Sequence, residues 1–473
     1  MKLNTRNHIF HETTRSLCPE CRQLIDAQVI LREGAVYLRK HCPEHGWSEA
    51  LVSSDAYWYL KSSSYNRPGS VPLDFAKAVE YGCPSDCGLC TEHQQHTCVG
   101  LIEITSRCDL SCPVCFAKAG DSPTPQDGFD MSLEQVERIL DRYVETEGEP
   151  EVVQISGGEP TLHPQIVEIL AAARKRNIRH VMLNTNGLRL ARDPGFARLI
   201  APYVSSIYLQ FDGLTSEVYE QIRGRDLLAT KYQALENITQ AGMFVVLVPT
   251  IMQGINDHQL GDLLRFGMDH PAIWALNCQA ATYAGRFLGN HDPLRRTTVT
   301  DILDKLVDQG EGLLMKSDFL PIPCPHPTCA ACTYLLKDEG NTIPLTRLIS
   351  VEDSLDFVVN RAAHSLSPQL QPVIETLIRV GALGREEETP CCGVETGFLS
   401  ASDLSFFAKH FFVIQAHGFM DAHTFDLKRI MKCCIHQLLP DGRAIPFCVY
   451  NNLPYRDEVK LQQEARNEQG SLC

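Results

Sequence analysis

The chain has 473 residues, room for about three domains at roughly 150 residues each and long enough to bury a sizeable core. With 43 Lys and Arg against 58 Asp and Glu, its formal charge is -15, and 21% charged with 44% hydrophobic residues is ordinary for an acidic soluble protein. That balance argues against a nucleic-acid binder, and apolar stretches as short as Met243 to Val248 argue against a membrane-spanning helix of about 20 residues.

Met1 to Phe10 carries no apolar signal core, so the expected compartment is the cytoplasm. There the 20 cysteines are expected to stay reduced, and thiolates at short spacing read as metal or iron-sulfur ligands. The first group falls in residues 1–66, where Cys18 and Cys21 are answered by Cys42 and His45. CxxC with CxxH turns tightly enough at each half to put two ligands on one ion, zinc or rubredoxin-like iron, with Val29 to Leu38 as a hairpin between them. So small an element is stapled by its metal. After the breaks at Pro68, Gly69 and Pro72, residues 67–98 hold Cys83, Cys87, Cys90 and Cys98. Four thiolates close a site, which favours an auxiliary four-iron cluster, with zinc as the alternative.

From Val99 to about 290, strand-like and helix-like segments alternate. The expected strands are Gly100 to Thr105, Val152 to Ser156, His180 to Asn184, Ser206 to Phe211, Phe244 to Thr250 and Ile273 to Cys278. The helices between them are Ser132 to Glu147, Pro164 to Arg176, Pro194 to Ile200, Ser216 to Ile222 with Ala229 to Ala241, and His258 to Met268. Six such units predict an α/β fold, a partial (β/α)6 TIM-like barrel. Asp121 to Gly128 reads as a loop over its mouth.

The first strand runs into Cys108, Cys112 and Cys115, a CxxxCxxC spacing. Three thiolates on one loop can hold three irons of a cubane and leave the fourth open, whereas structural zinc wants four protein ligands. Gly157, Gly158, Glu159 and Pro160 follow the second strand; there glycines admit a ligand to the backbone, and a carboxylate can receive an ammonium. Asn184 to Gly187 and Gln210 to Gly213 end the third and fourth strands. Ligands of parallel β/α folds sit at the carboxyl ends of strands, so these groups should converge with the triplet, Asn186, Gln210 and Asp212 as weaker contacts. Glu103, His163 and His417 read as structural partners rather than acids or bases.

Residues 291–473 are less regular and carry Cys324, Cys329, Cys332, Cys391, Cys392, Cys433, Cys434 and Cys448. A third cluster is assigned to Cys324, Cys329, Cys433 and Cys448, one of each adjacent pair being left to packing. Cys278 and Cys473 are given no role. Leu404 to Phe412, dense in phenylalanine, reads as a buried helix, with a lipid-facing surface as the alternative.

The triplet with Phe116 behind it and the GGEP stretch resemble the radical SAM superfamily over residues 100–290. The resemblance implies that S-adenosylmethionine chelates the open iron of a catalytic [4Fe-4S] cluster, that Gly157, Gly158 and Glu159 hold its amino end, and that reductive cleavage yields a 5'-deoxyadenosyl radical. The whole layout, with YLQFDG at Tyr208 to Gly213, Gly418 to Asp421 and KCCIHQLLPDGRAIPFCVYN near the end, is similar to the group of dihydropterin methylases and tetraether lipid synthases. That likeness implies two auxiliary clusters, a SPASM-like carboxyl region, carbon-carbon bond formation on a pterin-like or lipid substrate, and an electron donor such as ferredoxin or flavodoxin. The rival readings are an iron-sulfur electron carrier or scaffold and a zinc-bearing interaction module.

Overall fold

A computed structural model describes residues 6–120, 128–289, 291–338, 341–348 and 408–470. Four antiparallel strands open it: β1 (Ile9–Leu17), β2 (Leu24–Arg32), β3 (Ala35–Cys42) and β4 (Gly46–Ser53). The expected hairpin is the β2–β3 pair, turned at Glu33 and Gly34 with φ of 51° and 78°. Positive φ at both turn residues gives the twist a two-residue hairpin requires.

The remaining strands, in order, are β5 (Val99–Glu103), β6 (Val114–Cys115), β7 (Val152–Ser156), β8 (His180–Thr185), β9 (Ser206–Gln210) and β10 (Phe244–Val248). After them come β11 (Thr250–Ile251), β12 (Ile273–Ala280), β13 (Arg286–Phe287), β14 (Leu320–Pro321) and β15 (Ala330–Asp338). The last four are β16 (Asn341–Pro344), β17 (Phe411–His417), β18 (Ile435–Leu438) and β19 (Ala444–Pro446).

The six expected barrel strands stand side by side as β5-β7-β8-β9-β10-β12, all parallel. Their interiors read as continuous apolar runs because both faces are buried, one by helices and one by the lumen. The crossover helices obey local rules. Leu133–Glu147 begins in a capping box of Ser132 with Gln135, and Pro194–Ile200 begins on Asp193. Their apolar stripes join one core that includes Ile139, Leu170, Ile200 and Ile238.

The sheet does not stop at residue 290. β17 adds to β12 and β18 adds to β5, both parallel, while β15 with β14 and then β19 extend the two edges antiparallel. The carboxyl-terminal region thus completes the barrel from both sides. Of the expected helix at Leu404 to Phe412, 404–407 lie outside the described residues and 408–410 are helical, but its end is corrected: Phe411 and Phe412 begin β17. Both phenylalanines are buried, on opposite faces of an interior strand that pairs in parallel with β12 and antiparallel with β15, so at these two positions the aromatic residues mark a two-sided strand. Cys391, Cys392, Cys473 and 121–127 of the expected mouth loop also lie outside the described residues. Among the described residues, no helix is long and apolar enough to cross a membrane.

Candidate active site and metal centres

Inside the barrel runs a cavity of about 350 Å³. At the carboxyl ends of the strands it is lined by Cys108, Cys112 and Cys115 with Gly157, Gly158, Glu159, Asn186 and Gln210. At the opposite end it is lined by Cys324 and Cys434. The triplet therefore offers three sulfurs at the mouth, the other cavity thiols lying at the floor, and that donor set fits a cubane with one open iron. Burial pushes the Cys108 thiol up, helped by the Glu159 carboxylate; burial also raises Cys112, opposed by the Arg223 guanidinium. Thiols so placed ionise on binding metal.

The two glycines are needed where they are. A Cβ on Gly157, whose φ is +142°, would meet Thr105 O at 2.3 Å, and one on Gly158 would meet Arg107 O at 2.2 Å. The turn is locked to the triplet loop by Gly158 N donating to Thr105 O at 2.8 Å and Glu159 N to Arg107 O at 2.7 Å.

Glu159 lines the cavity with its carboxylate already engaged by the chain: Oε1 accepts from Thr161 N, Thr161 Oγ1 and Thr185 Oγ1, and Oε2 accepts from Asn186 N at 2.8 Å. Burial raises its pKa and these donors oppose the rise. These bonds tie the turn to Asn186. Asp212 does not line the cavity; it is fully buried, each oxygen 2.7 Å from Arg223. Asn186 and Gln210 do face the cavity. Asn186 donates to Asp109 Oδ1 at 2.8 Å, and the Gln210 amide oxygen accepts from Arg223 Nη1 at 2.8 Å.

Sequence reasoning passed over several residues. Arg223, at the end of helix Ser216–Arg223, also donates to Val114 O and so ties the triplet loop to the fourth strand's end. Lys231 is fully buried, with Nζ donating to Asn186 O at 2.6 Å. Deeper in the lumen, Asn277 Nδ2 and Gln279 Nε2 donate to Tyr208 OH at 2.7 and 2.9 Å. The signal for Tyr208 lay in the YLQFDG stretch, whereas Asn277 and Gln279 carried no motif. Glu103 also lines the cavity, bound to Arg456 at 2.8 Å and Tyr450 OH at 3.1 Å, and His163 Nε2 lies 2.8 Å from Met131 O.

In the ribbon, the donor atoms of Cys18, Cys21, Cys42 and His45 lie within 4.8 Å of one another. His45 beside it pulls the Cys42 thiol down, as suits a metal ligand. The other cysteines are grouped differently from the sequence expectation. Cys98, assigned there with Cys83, Cys87 and Cys90, and Cys324, assigned with Cys329, Cys433 and Cys448, meet each other and Cys434 within 4.8 Å. Linear spacing could not show this, because Cys98 N donates to Cys434 O only once β18 has docked beside β5. Cys87 instead faces Cys83, Cys90 and Cys433, and Cys433 faces Cys448 and Cys329. Cys332 lies in β15 and Cys278 in β12, both buried.

Residues 102–267 match the family model described as Radical SAM superfamily, and residues 10–54 match the HMPTM N-terminal zinc ribbon domain. The 7,8-dihydro-6-hydroxymethylpterin dimethyltransferase of Methanocaldococcus jannaschii is 33% identical over 94% of this chain and 94% of its own length. The mycofactocin maturase MftC of Mycobacterium ulcerans is 28% identical over 46% of this chain and 57% of its own. Among solved structures, Streptococcus suis SuiB bound to S-adenosylmethionine covers 46% of each chain at 18% identity with a TM-score of 0.36. The chain therefore belongs to the radical SAM superfamily of enzymes, in the family of that dihydropterin dimethyltransferase.

Proposed function

We propose that this enzyme forms carbon-carbon bonds at unactivated carbon of a small nitrogen heterocycle of the pterin class. When bound, a [4Fe-4S] cluster and S-adenosylmethionine supply reductive cleavage of the sulfonium and a 5'-deoxyadenosyl radical that abstracts hydrogen. Cys108, Cys112 and Cys115 would hold the cluster. The bare backbone at Gly157 and Gly158 would admit the amino end of the cosubstrate, with Asn186 and Gln210 facing it. Glu159 and Asp212 position these groups through Asn186 and Arg223.

The observation that carries the substrate class is the lumen. Tyr208, Asn277 and Gln279 form a buried hydrogen-bonding cluster on the cavity wall, and Asn277 Oδ1 has no partner among the described residues. A buried acceptor without a donor costs about 1–3 kcal/mol, which a heterocyclic N–H would recover. The full-length likeness to a pterin dimethyltransferase supports the same class. Joining two alkyl chains would use neither the acceptor nor the cluster around it, and the lipid-facing alternative loses Phe411 and Phe412 to the sheet. A plain electron carrier needs no cavity of this size.

Six thiols, Cys83, Cys87, Cys90, Cys329, Cys433 and Cys448, form the remaining sulfur-rich region, which we assign to auxiliary iron-sulfur chemistry. A ferredoxin or flavodoxin is the expected donor, and the cytoplasm the expected compartment. The test is an anaerobic assay of the reconstituted enzyme with dithionite, 7,8-dihydro-6-hydroxymethylpterin and excess S-adenosylmethionine, one molecule being cleaved to methionine and the deoxyadenosyl radical and a second giving up its S–CH3 group as the methyl donor. Methylated pterin and deoxyadenosine are expected from the native chain, and neither from Cys112→Ala. Deoxyadenosine that persists in Cys112→Ala refutes the catalytic triplet; deoxyadenosine without any modified pterin refutes the substrate class.

A further inference from the structure

Three sequence-distant cysteines meet at the floor of the cavity, where Cys324 and Cys434 line it. Cys98 immediately precedes β5, Cys434 precedes β18, and Cys324 lies in the turn between β14 and β15. All three are buried, and their sulfurs lie within 4.8 Å of one another. That is the spacing of ligands on one ion, since sulfurs about 2.3 Å from a tetrahedral zinc stand roughly 3.8 Å apart. The ribbon shows the same scale, with Cys21 and Cys42 sulfurs 3.9 Å apart. Sulfurs that cap different irons of a cubane stand wider. Among the described residues, the Cys108, Cys112 and Cys115 triplet is not one of the groups drawn this close.

A fourth donor stands beside Cys98, although unlike His45 in the ribbon it is not within 4.8 Å of every sulfur of its group. His96 Nε2 lies 3.5 Å from Cys98 Sγ, the same separation as His45 Nδ1 from Cys42 Sγ in the ribbon. His96 Nδ1 lies 2.8 Å from Glu147 Oε2, a carboxylate whose side chain is only 3% exposed. A carboxylate on the outer nitrogen keeps the proton there and turns the inner lone pair toward the sulfurs, the usual support of a metal-bound imidazole. The other Glu147 oxygen accepts from Thr97 N at 3.1 Å. Gln95 Nε2 donates to Cys324 O at 2.7 Å and Cys98 N to Cys434 O at 2.9 Å, so the backbones that carry the sulfurs are themselves clamped.

We propose that Cys98, Cys324, Cys434 and His96 bind a single zinc ion, with Glu147 as the positioning residue for His96. The ion staples the two edges of the sheet to each other and closes the lumen at the end opposite the triplet. This second mononuclear site is distinct from the ribbon and does not depend on which substrate the enzyme takes.

The test is metal analysis of the full-length chain, purified anaerobically, with cobalt substitution. Two zinc ions per native chain are expected, with one lost in Cys42→Ser and the other in Cys324→Ser, iron and sulfide holding constant. His96→Cys should keep the second ion but intensify the thiolate-to-cobalt charge-transfer bands, while His93→Ala leaves them unchanged. Glu147→Gln should weaken retention against a chelator by about 10- to 100-fold. Zinc content that is the same in Cys324→Ser as in the native chain overturns the proposal. So does a fall of about four irons and four sulfides in Cys324→Ser, which would mark a cubane, or an unaltered cobalt spectrum in His96→Cys.

Discussion

Arg223 couples Asp212 to Cys112: the guanidinium that forks onto both oxygens of Asp212 also opposes the upward push of burial on the Cys112 thiol. A buried ion pair is thus built into the underside of the triplet loop. Both members are nearly inaccessible, 6% and 0% at the side chain. Removing one partner leaves an uncompensated buried charge, which costs about 3–5 kcal/mol. Arg223→Leu should lower the unfolding free energy by that amount, and adding Asp212→Leu should recover more than half of it. Urea unfolding of the two variants decides this; equal loss in both would show that the pair is not coupled.

The glycine pair leads to a different kind of loss. Because a methyl group on Gly158 would have to share space with Arg107 O, Gly158→Ala must push the turn away from the triplet loop. Binding of S-adenosylmethionine, followed by equilibrium dialysis on the reconstituted enzyme, should weaken at least about 10-fold, the value of one lost 1.4 kcal/mol interaction. Zinc content of the ribbon should not change. Native affinity in this variant would mean the cosubstrate does not use that backbone.

How much of this was legible in the linear chain depends on the range of the interaction. The six central strands were readable because each is an apolar run closed by its own turn, and Ser132 and Asp193 announce helix starts by local capping. The ribbon was readable because each half places its ligands three residues apart. The docking of β17 and β18 was not, since strand pairing between residue 99 and residue 435 leaves no local pattern. The same reason hid the meeting of Cys98 with Cys324 and Cys434. Arg223 and Lys231 were missed for another cause: on a helix that looks amphipathic, a cation is taken for the solvent face, and only burial reveals its task.

Tyr208 offers a test of the lumen. Its hydroxyl accepts from Asn277 and Gln279, so Tyr208→Phe leaves two buried amide donors without that acceptor. Stability should fall by about 1–3 kcal/mol. If the cluster receives the substrate, KM for the pterin should rise while deoxyadenosine formed without substrate stays at the native rate. An unchanged KM would place the substrate elsewhere in the cavity.

Asp421 makes the acid side of the stability profile predictable. Burial alone would raise its pKa, but Arg296, with contacts at 2.6 and 3.1 Å, and the Tyr283 backbone N–H at 2.9 Å hold it well below the usual carboxylate range. A folded-state pKa depressed below the unfolded value of about 3.9 contributes stability that is fully present above that value and is lost as pH falls through the folded one. Melting temperature should therefore drop steeply below about pH 4 in the native chain. Asp421→Asn should be less stable at pH 7 and show a flatter acid limb. Parallel limbs in the two proteins would assign the acid transition to other groups.

Stripping the ribbon should be felt at a distance, because the ribbon is the other wall of the Asp421 loop. Lys40 in β3 is 1% exposed and donates to Ser16 Oγ, Ala422 O and His423 O at 2.9, 2.6 and 2.9 Å, while Thr14 Oγ1 donates to Asp426 Oδ1 at 2.5 Å. Those donors hold their places only while β1 and β3 are held in register by the turns that carry Cys18, Cys21, Cys42 and His45. In Cys42→Ser, amide hydrogen exchange should rise first through 9–53 and then through 417–426, with β7 and β8 as protected as before. The order follows from the packing: the ribbon has its own small core around Val29, Val36 and Leu38, and the loop leans on it through the hydrogen bonds of Lys40 and Thr14. If 417–426 keep native protection once the ribbon has opened, the loop is held by Arg296, Tyr283 and its other barrel contacts without the ribbon.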